Sequence, residues 1–192
     1  IGAIIGDIIG SRYEFDATND YDFELFSDKN SFTDDTICTI AIADAILKGR
    51  DYGESLHDWC RRYMKPKGGF GGRFRKWVES EDPKPYGSYG NGSAMRVSPI
   101  GMYFRDWKDV VEQSKLSAEC THNHPMGING AQAVAWAIHC AINSGDGLVT
   151  PKKLEAEILD IVICTANDHG FASTVNLDDY RNRFDETCQG TI

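Results

Sequence analysis

Ser31-Phe32-Thr33-Asp34-Asp35-Thr36 sets two adjacent carboxylates between two threonines, immediately before the apolar helical run Ile37, Ile40, Ala41, Ala43, Ile46 and Leu47. Carboxylate and hydroxyl oxygens are the donors that hard divalent cations such as Mg²⁺ prefer. The same residues also suit a helix start. Ser31 or Thr33 can cap the free backbone N–H groups, and Asp34 and Asp35 complement the positive end of the helix dipole. Taken alone, the segment favours the cap. The two readings are compatible, and the remainder of the chain decides how much weight the metal carries.

Three further segments bear polar groups in unusual settings. Gly2-Ala3-Ile4-Ile5-Gly6-Asp7-Ile8-Ile9-Gly10 reads as a glycine-spaced helix packed closely on a neighbour, and Asp7 needs a partner because a carboxylate in an apolar helix is costly. Glu14 follows, and by itself reads as a salt-bridge partner of Arg12 or a solvated charge. Tyr89-Gly90-Asn91-Gly92-Ser93-Ala94-Met95-Arg96 is a glycine-rich turn before an apolar helical start, a form that offers backbone N–H groups to a phosphate or simply turns the chain. Cys120-Thr121-His122-Asn123-His124-Pro125 stands ahead of a long helix, so its polar groups line a pocket or cap that helix. Zinc on Cys120, His122 and His124 is a weak alternative, since no second ligand pair appears at zinc spacing.

The elements that must position these groups are helical. Trp107, Val110, Val111, Ser114 and Ala118 share one helix face. Met126 to Ile142 is an Ala-rich helix with Gly127 and Gly130 available for close packing. Leu56, Trp59, Cys60 and Tyr63 mark another, and Leu154, Ile158, Leu159, Ile161 and Val162 a further one opened by Pro151. No run alternates with period two. The expectation is an all-α, compact orthogonal multi-helix domain over residues 1–192, with long connections at Asp16 to Phe32, Lys65 to Arg73 and Asp82 to Ser93. The Lys65 to Arg73 connection could face an acidic partner or be a solvated turn, and the solvated turn is the preferred reading.

The 192 residues are 41% hydrophobic and 26% charged, enough for one domain with a buried core. A net charge of −9 argues against a nucleic-acid footprint and against an anionic membrane surface. No apolar run reaches transmembrane length. Six scattered cysteines without a CxxC pair, several in apolar helical patterns, point to a cytosolic, disulfide-free protein.

In that order, Gly6-Asp7 with Glu14, Phe32-Thr33-Asp34-Asp35-Thr36, Gly90-Asn91-Gly92-Ser93-Ala94-Met95-Arg96 and Thr121-His122-Asn123-His124-Pro125 strongly resemble the ADP-ribosylglycohydrolase family, which includes the dinitrogenase reductase-activating glycohydrolases. The resemblance spans essentially the whole chain. It implies a compact all-α domain with two Mg²⁺ or Mn²⁺ ions at the base of a cleft, and removal of ADP-ribose from a protein side chain or small acceptor. By resemblance, Thr33, Asp34 and Asp35 are metal ligands, and Glu14 and Asp35 serve catalysis. Asn91, Gly92, Ser93, Met95, His122, Asn123 and His124 line the ADP-ribose site.

The family's second metal-ligand motif, Gly-Asp-x-Asp-Thr-like and near the C-terminal end of the domain, has no match. The nearest acidic clusters are Asn167-Asp168-His169 and Leu177-Asp178-Asp179-Tyr180. The chain begins at Ile1 rather than methionine, and it reads as the N-terminal portion of the domain. The resemblance then implies at most one tightly bound ion, and an apolar face that favours a second copy or a partner segment. The alternative to a hydrolase is a non-catalytic relative that binds ADP-ribose or serves a structural role.

Overall fold

A computed structural model describes residues 1–143 except Ala17, Asn19 and Tyr21. The expected helix at Leu154–Val162 and the clusters around Asp168 and Asp178 lie outside the described residues. Within them the chain is all-α: seven α-helices, one 3₁₀ turn at Asn91–Ser93, and no β-strand. They divide into two compact units, Ile1–Lys84 and the described residues from Pro85 onward.

In the first unit, α1 (Gly2–Gly10) packs on α2 (Asp34–Lys48), α2 on α3 (Tyr52–Arg62), and α3 on α4 (Gly72–Glu79). The buried stripe of α2 is Ile37, Cys38, Ala41, Ile42 and Ala45; of the apolar run read from the sequence Ile37 and Ala41 belong to it, while Leu47 is exposed. Leu56 and Cys60 of α3 meet it, with the Cys38 and Cys60 sulfurs 3.9 Å apart. Ser55 Oγ donates to Ala41 O at 2.7 Å, which ties the two helices by a buried bond as well as by apolar packing. The helix ends are satisfied locally. Asp51 accepts from Glu54 N at the start of α3, and Gly49 closes α2 in the left-handed region at φ 62°. Arg61 Nε donates to Val78 O and its Nη2 to Glu79 O, quenching the carbonyl end of α4.

The glycine spacing of α1 has a different meaning from the expected close packing. A Cβ at Gly2, Gly6 or Gly10 would meet nothing within 4 Å, and no residue of this helix is buried. Among the described residues, α1 is held by its polar contacts rather than by interlocked small residues.

In the second unit, α7 (Pro125–Asn143) packs against α5 (Ser98–Tyr103), α6 (Trp107–Glu119) and the Asn91–Ser93 turn. Ala131, Ala133 and Ala135 are buried on more than one side of it, small enough to bring the neighbours close. Asp106 caps α6 by accepting from Lys108 N, and Val110, Ser114 and Ala118 of α6 are buried. Two glycines allow the closest approaches. A Cβ on Gly101 would collide with Ala135 O and lie 3.0 Å from Ile138 Cβ, and one on Gly127 would lie 2.7 Å from Ser88 O.

These environments predict opposite outcomes for one substitution. Gly101→Ala must push α5 from α7 and lower stability by about 1–3 kcal/mol. Gly6→Ala adds a methyl to open space in a helix and raises stability by about 0.5–1 kcal/mol. Urea denaturation of the two variants beside the parent checks both signs.

Candidate metal centre

The start of α2 is built around Asp7. Its Oδ2 accepts from Thr33 N at 2.9 Å and from Thr36 Oγ1 at 2.5 Å, and its Oδ1 accepts from Thr33 Oγ1 at 2.6 Å. A carboxylate on the otherwise apolar α1 thereby finds three donors on a single helical turn. Thr33 is extended, at φ −110° and ψ −168°, and its hydroxyl oxygen accepts from Asp35 N at 3.2 Å. The capping function expected of this threonine is present. The capping bond and the Asp7 bond together aim the Thr33 hydroxyl, a role for Asp7 that the spacing of the sequence left open.

Asp34 and Asp35 are half-buried on this turn. Burial first, then the charge of Asp35, pushes the Asp34 carboxyl up to about 7. Burial first, then the charge of Asp7, pushes Asp35 up to about 6, with the Thr33 hydrogen bond opposing. Glu14 adds its charge to both. Four carboxylates thus repel one another within one unit. Their chemistry fits a hard divalent cation: every donor is oxygen, and burial and mutual repulsion disfavour the charged forms of Asp34 and Asp35. The described residues supply only part of a coordination shell, for no group of three or more His, Cys, Asp or Glu among them converges to hold an ion by itself. Thr33, Asp34 and Asp35 are the residues that would contribute.

Glu14 follows α1 and is exposed. Arg12 is not its partner, since the guanidinium pairs with Glu24 at 2.7 Å. Burial and the charge of Asp7 raise the Glu14 carboxyl, and Lys67 pulls it down. Lys67 belongs to the 65–73 connection, which is not the solvated turn its composition suggested. Lys67 N donates to Phe32 O at 3.4 Å, and Lys67 Nζ donates to Lys29 O at 2.5 Å. Gly68, at φ +77°, lies so close to Glu14 that a Cβ there would be 2.8 Å from Oε2. Lys65 and Lys67 just ahead of Gly68-Gly69 were the signal the sequence offered for this role.

The second unit collects the other candidates. Ser93 is buried, with Oγ donating to Gly127 O at 2.7 Å, and Met95 N donates to Asn91 O at 2.9 Å. His122 is buried against the turn: a Cβ on Gly92 would be 3.0 Å from its Cε1 and Nε2. Asn123 and His124 are engaged in the local fold. Asn123 Oδ1 accepts from Gly87 N at 2.7 Å, and His124 Nδ1 accepts from Met126 N at 3.2 Å in the first turn of α7. Cys120 Sγ donates to Ser117 O at 3.3 Å, so Cys120, His122 and His124 each turn to a different local partner.

A sequence model of the ADP-ribosylglycohydrolase family matches residues 1–189. The chain belongs to the ADP-ribosylglycohydrolase family. Chicken ADP-ribosylhydrolase ARH3 is 34% identical over 131 residues, covering 58% of this chain and 35% of that protein. The human ADP-ribosylhydrolase ARH3 is 30% identical over 174 residues, covering 73% and 48%. The ADP-ribosylarginine hydrolase Tri1 of Pseudomonas putida is 27% identical over 180 residues, covering 76% and 46%. The chain spans about half the length or less of these curated relatives. Among the described residues no helix is long and apolar enough to cross a membrane.

The raised aspartates predict a pH dependence. Both carboxyls hold protons more tightly in the folded chain than in the unfolded one, where aspartate titrates near about 3.9. Their contribution to stability without a divalent ion is therefore fully present below that value. It is lost as pH rises through about 6 and about 7. Thermal melts in EDTA across this range should show the decline. Asp34→Asn should flatten it, and Mg²⁺ should restore stability at the alkaline end for the parent alone.

Proposed function

We propose that this protein is a metal-dependent hydrolase that cleaves the glycosidic bond between ADP-ribose and an acceptor. The observation that carries the reading is the Asp7-braced turn of Thr33, Asp34 and Asp35, with Glu14 electrostatically coupled to it in the same unit. Membership of the family and the names of its relatives support the substrate class. Burial of Cys38 and Cys60 as small apolar groups suits the reducing cytosol.

Thr33, Asp34 and Asp35 would hold Mg²⁺ or Mn²⁺, with a second ion in the complete family arrangement. When bound, such an ion supplies positive charge that orients ribose hydroxyls and acidifies a water. The work of the chain is then specific. Asp7 keeps the Thr33 hydroxyl aimed, and Asp34 and Asp35 would be ionised beside such an ion. Glu14, its carboxyl raised above the ordinary value by burial and the charge of Asp7, accepts a proton from the attacking water. The water oxygen bonds to the anomeric carbon as the bond to the acceptor breaks, and the proton taken up by Glu14 passes to the departing acceptor. Positive charge developing on the ribose in the transition state is favoured by the carboxylates around it, as in other glycoside hydrolysis. Asn91, Gly92, Ser93, Met95, His122, Asn123 and His124 are assigned to binding ADP-ribose, with the diphosphate at the Asn91–Ser93 turn.

The test is release of ADP-ribose from ADP-ribosylated arginine and serine peptides, in Mg²⁺ and in EDTA. Release that EDTA abolishes is the expected result. Asp35→Asn should lose activity and divalent-ion affinity while keeping its helical circular dichroism. Glu14→Gln should lower kcat by about 10²-fold or more, as expected for removal of a general base, and bind ADP-ribose as the parent does. ADP-ribose binding without release from any acceptor would instead support a non-catalytic binding protein.

Gly68→Ala tests the seat of Glu14. A methyl at this position must displace the carboxylate, so kcat should fall with ADP-ribose affinity unchanged. The measurement is a kcat-against-Kd comparison with the parent.

A further inference from the structure

Arg96 is 1% exposed, the largest fully buried side chain among the described residues. A guanidinium out of water needs a compelling set of partners. Among the described residues none of the ion pairs includes it, and its Nε makes no hydrogen bond. One nitrogen, Nη2, carries its contacts: it donates to Ser117 O at 2.7 Å and to Thr121 Oγ1 at 2.9 Å, and lies 3.6 Å from Cys120 Sγ. Thr121 is itself fully buried, and its Oγ1 is 2.7 Å from His122 Nδ1.

The direction of this chain of bonds follows from the donor inventory. Arginine only donates, so Thr121 Oγ1 accepts from it. The Thr121 hydroxyl has one hydrogen to place, and its other partner is His122 Nδ1. Were Nδ1 to carry a proton and donate instead, the buried Thr121 hydrogen would have no acceptor, which costs more than an ordinary hydrogen bond returns. The arrangement that satisfies Arg96 Nη2, Thr121 Oγ1 and His122 Nδ1 together has Thr121 donating to an unprotonated Nδ1. The neutral ring then carries its hydrogen on Nε2, assigned here from the bonding pattern. Nε2 is the atom beside Gly92, where the lack of a side chain admits the ring.

We propose that Arg96 is a positioning residue: through the Thr121 hydroxyl it fixes His122 with Nε2–H directed to the Asn91–Ser93 turn, as a donor to an oxygen of the bound nucleotide. The ligand class rests on the function proposed above; the tautomer does not. Arg96 lies three residues beyond Ser93 in the same segment, so its buried positive charge also favours an anionic ligand there.

Long-range ¹H–¹⁵N spectra of the full chain test the relay directly, because pyridine-type and pyrrole-type ring nitrogens resonate far apart. The parent should show His122 with a pyridine-type Nδ1 and a pyrrole-type Nε2. Thr121→Val keeps the side-chain shape and removes the hydroxyl; the ring should shift toward the other tautomer or an average. ADP-ribose affinity, by calorimetry, should weaken by about tenfold, as for loss of one well-placed hydrogen bond. Thr121→Ser should restore both signals, and Arg96→Met should reproduce the tautomer change. If Arg96→Met does not fold, the Thr121 pair decides. A pyrrole-type Nδ1 in the parent, or an unchanged ring in Thr121→Val, overturns the proposal. A relay that behaves as described in a protein that binds no ADP-ribose would sustain the tautomer assignment and overturn the functional reading instead.

Discussion

The Asp7 carboxylate, accepting from Thr33 N, Thr33 Oγ1 and Thr36 Oγ1, is the interaction on which the first unit depends. It joins α1, a helix with no buried residue, to the start of α2, whose inner face is core. It uses one acceptor group to satisfy a backbone N–H and two hydroxyls that the helix start would otherwise leave to water or to each other. It also brings a third negative charge against Asp34 and Asp35. The same contact therefore orders the turn and loads it with repulsion, and a cation relieves that repulsion.

This combination explains why a helix cap and a metal-binding turn occupy the same residues without conflict. A cap uses the Thr33 oxygen toward Asp35 N and needs neither the Asp34 nor the Asp35 carboxylate. Bringing half-buried carboxylates together is unfavourable on electrostatic grounds alone, so capping cannot be the whole account of the pair. Lys67 supplies modest compensation, pulling on Glu14 while its ammonium group is bonded to Lys29 O. The glycine after it admits the Glu14 carboxylate where a side chain would exclude it.

The second unit solves a related problem with the opposite charge. Arg96 is buried with carbonyl, hydroxyl and sulfur neighbours, and its order is transmitted to the imidazole beside the Asn91–Ser93 turn. Here too small residues set the geometry. Gly92 admits His122, and Gly127 admits Ser88 and the His122 backbone, so the turn is pressed against α7 by contacts that no larger residue would allow. Asn123 and His124, adjacent to His122 and equally polar, are spent on Gly87 N and Met126 N.

What the sequence by itself determined is the helical character and the chemistry of the candidate groups. Apolar residues at helical spacing placed α2, α3, α6 and α7, because burial of one helix face is a local pattern written every three or four residues. Thr33 as a cap with Asp34 and Asp35 behind it was equally legible, since capping needs only near neighbours. Tertiary structure alone decided which distant residues meet. Asp7 and Thr33 are 26 residues apart, Gly68 and Glu14 lie on separate connections, and Arg96 reaches Thr121 across 25 residues. It also reversed the reading of the α1 glycines, which face open space, and of the 65–73 connection, which packs on Phe32 and Glu14. Local periodicity records which face of an element is buried. Pairing between polar groups far apart in the chain leaves no periodic trace, because it is set by how the elements dock.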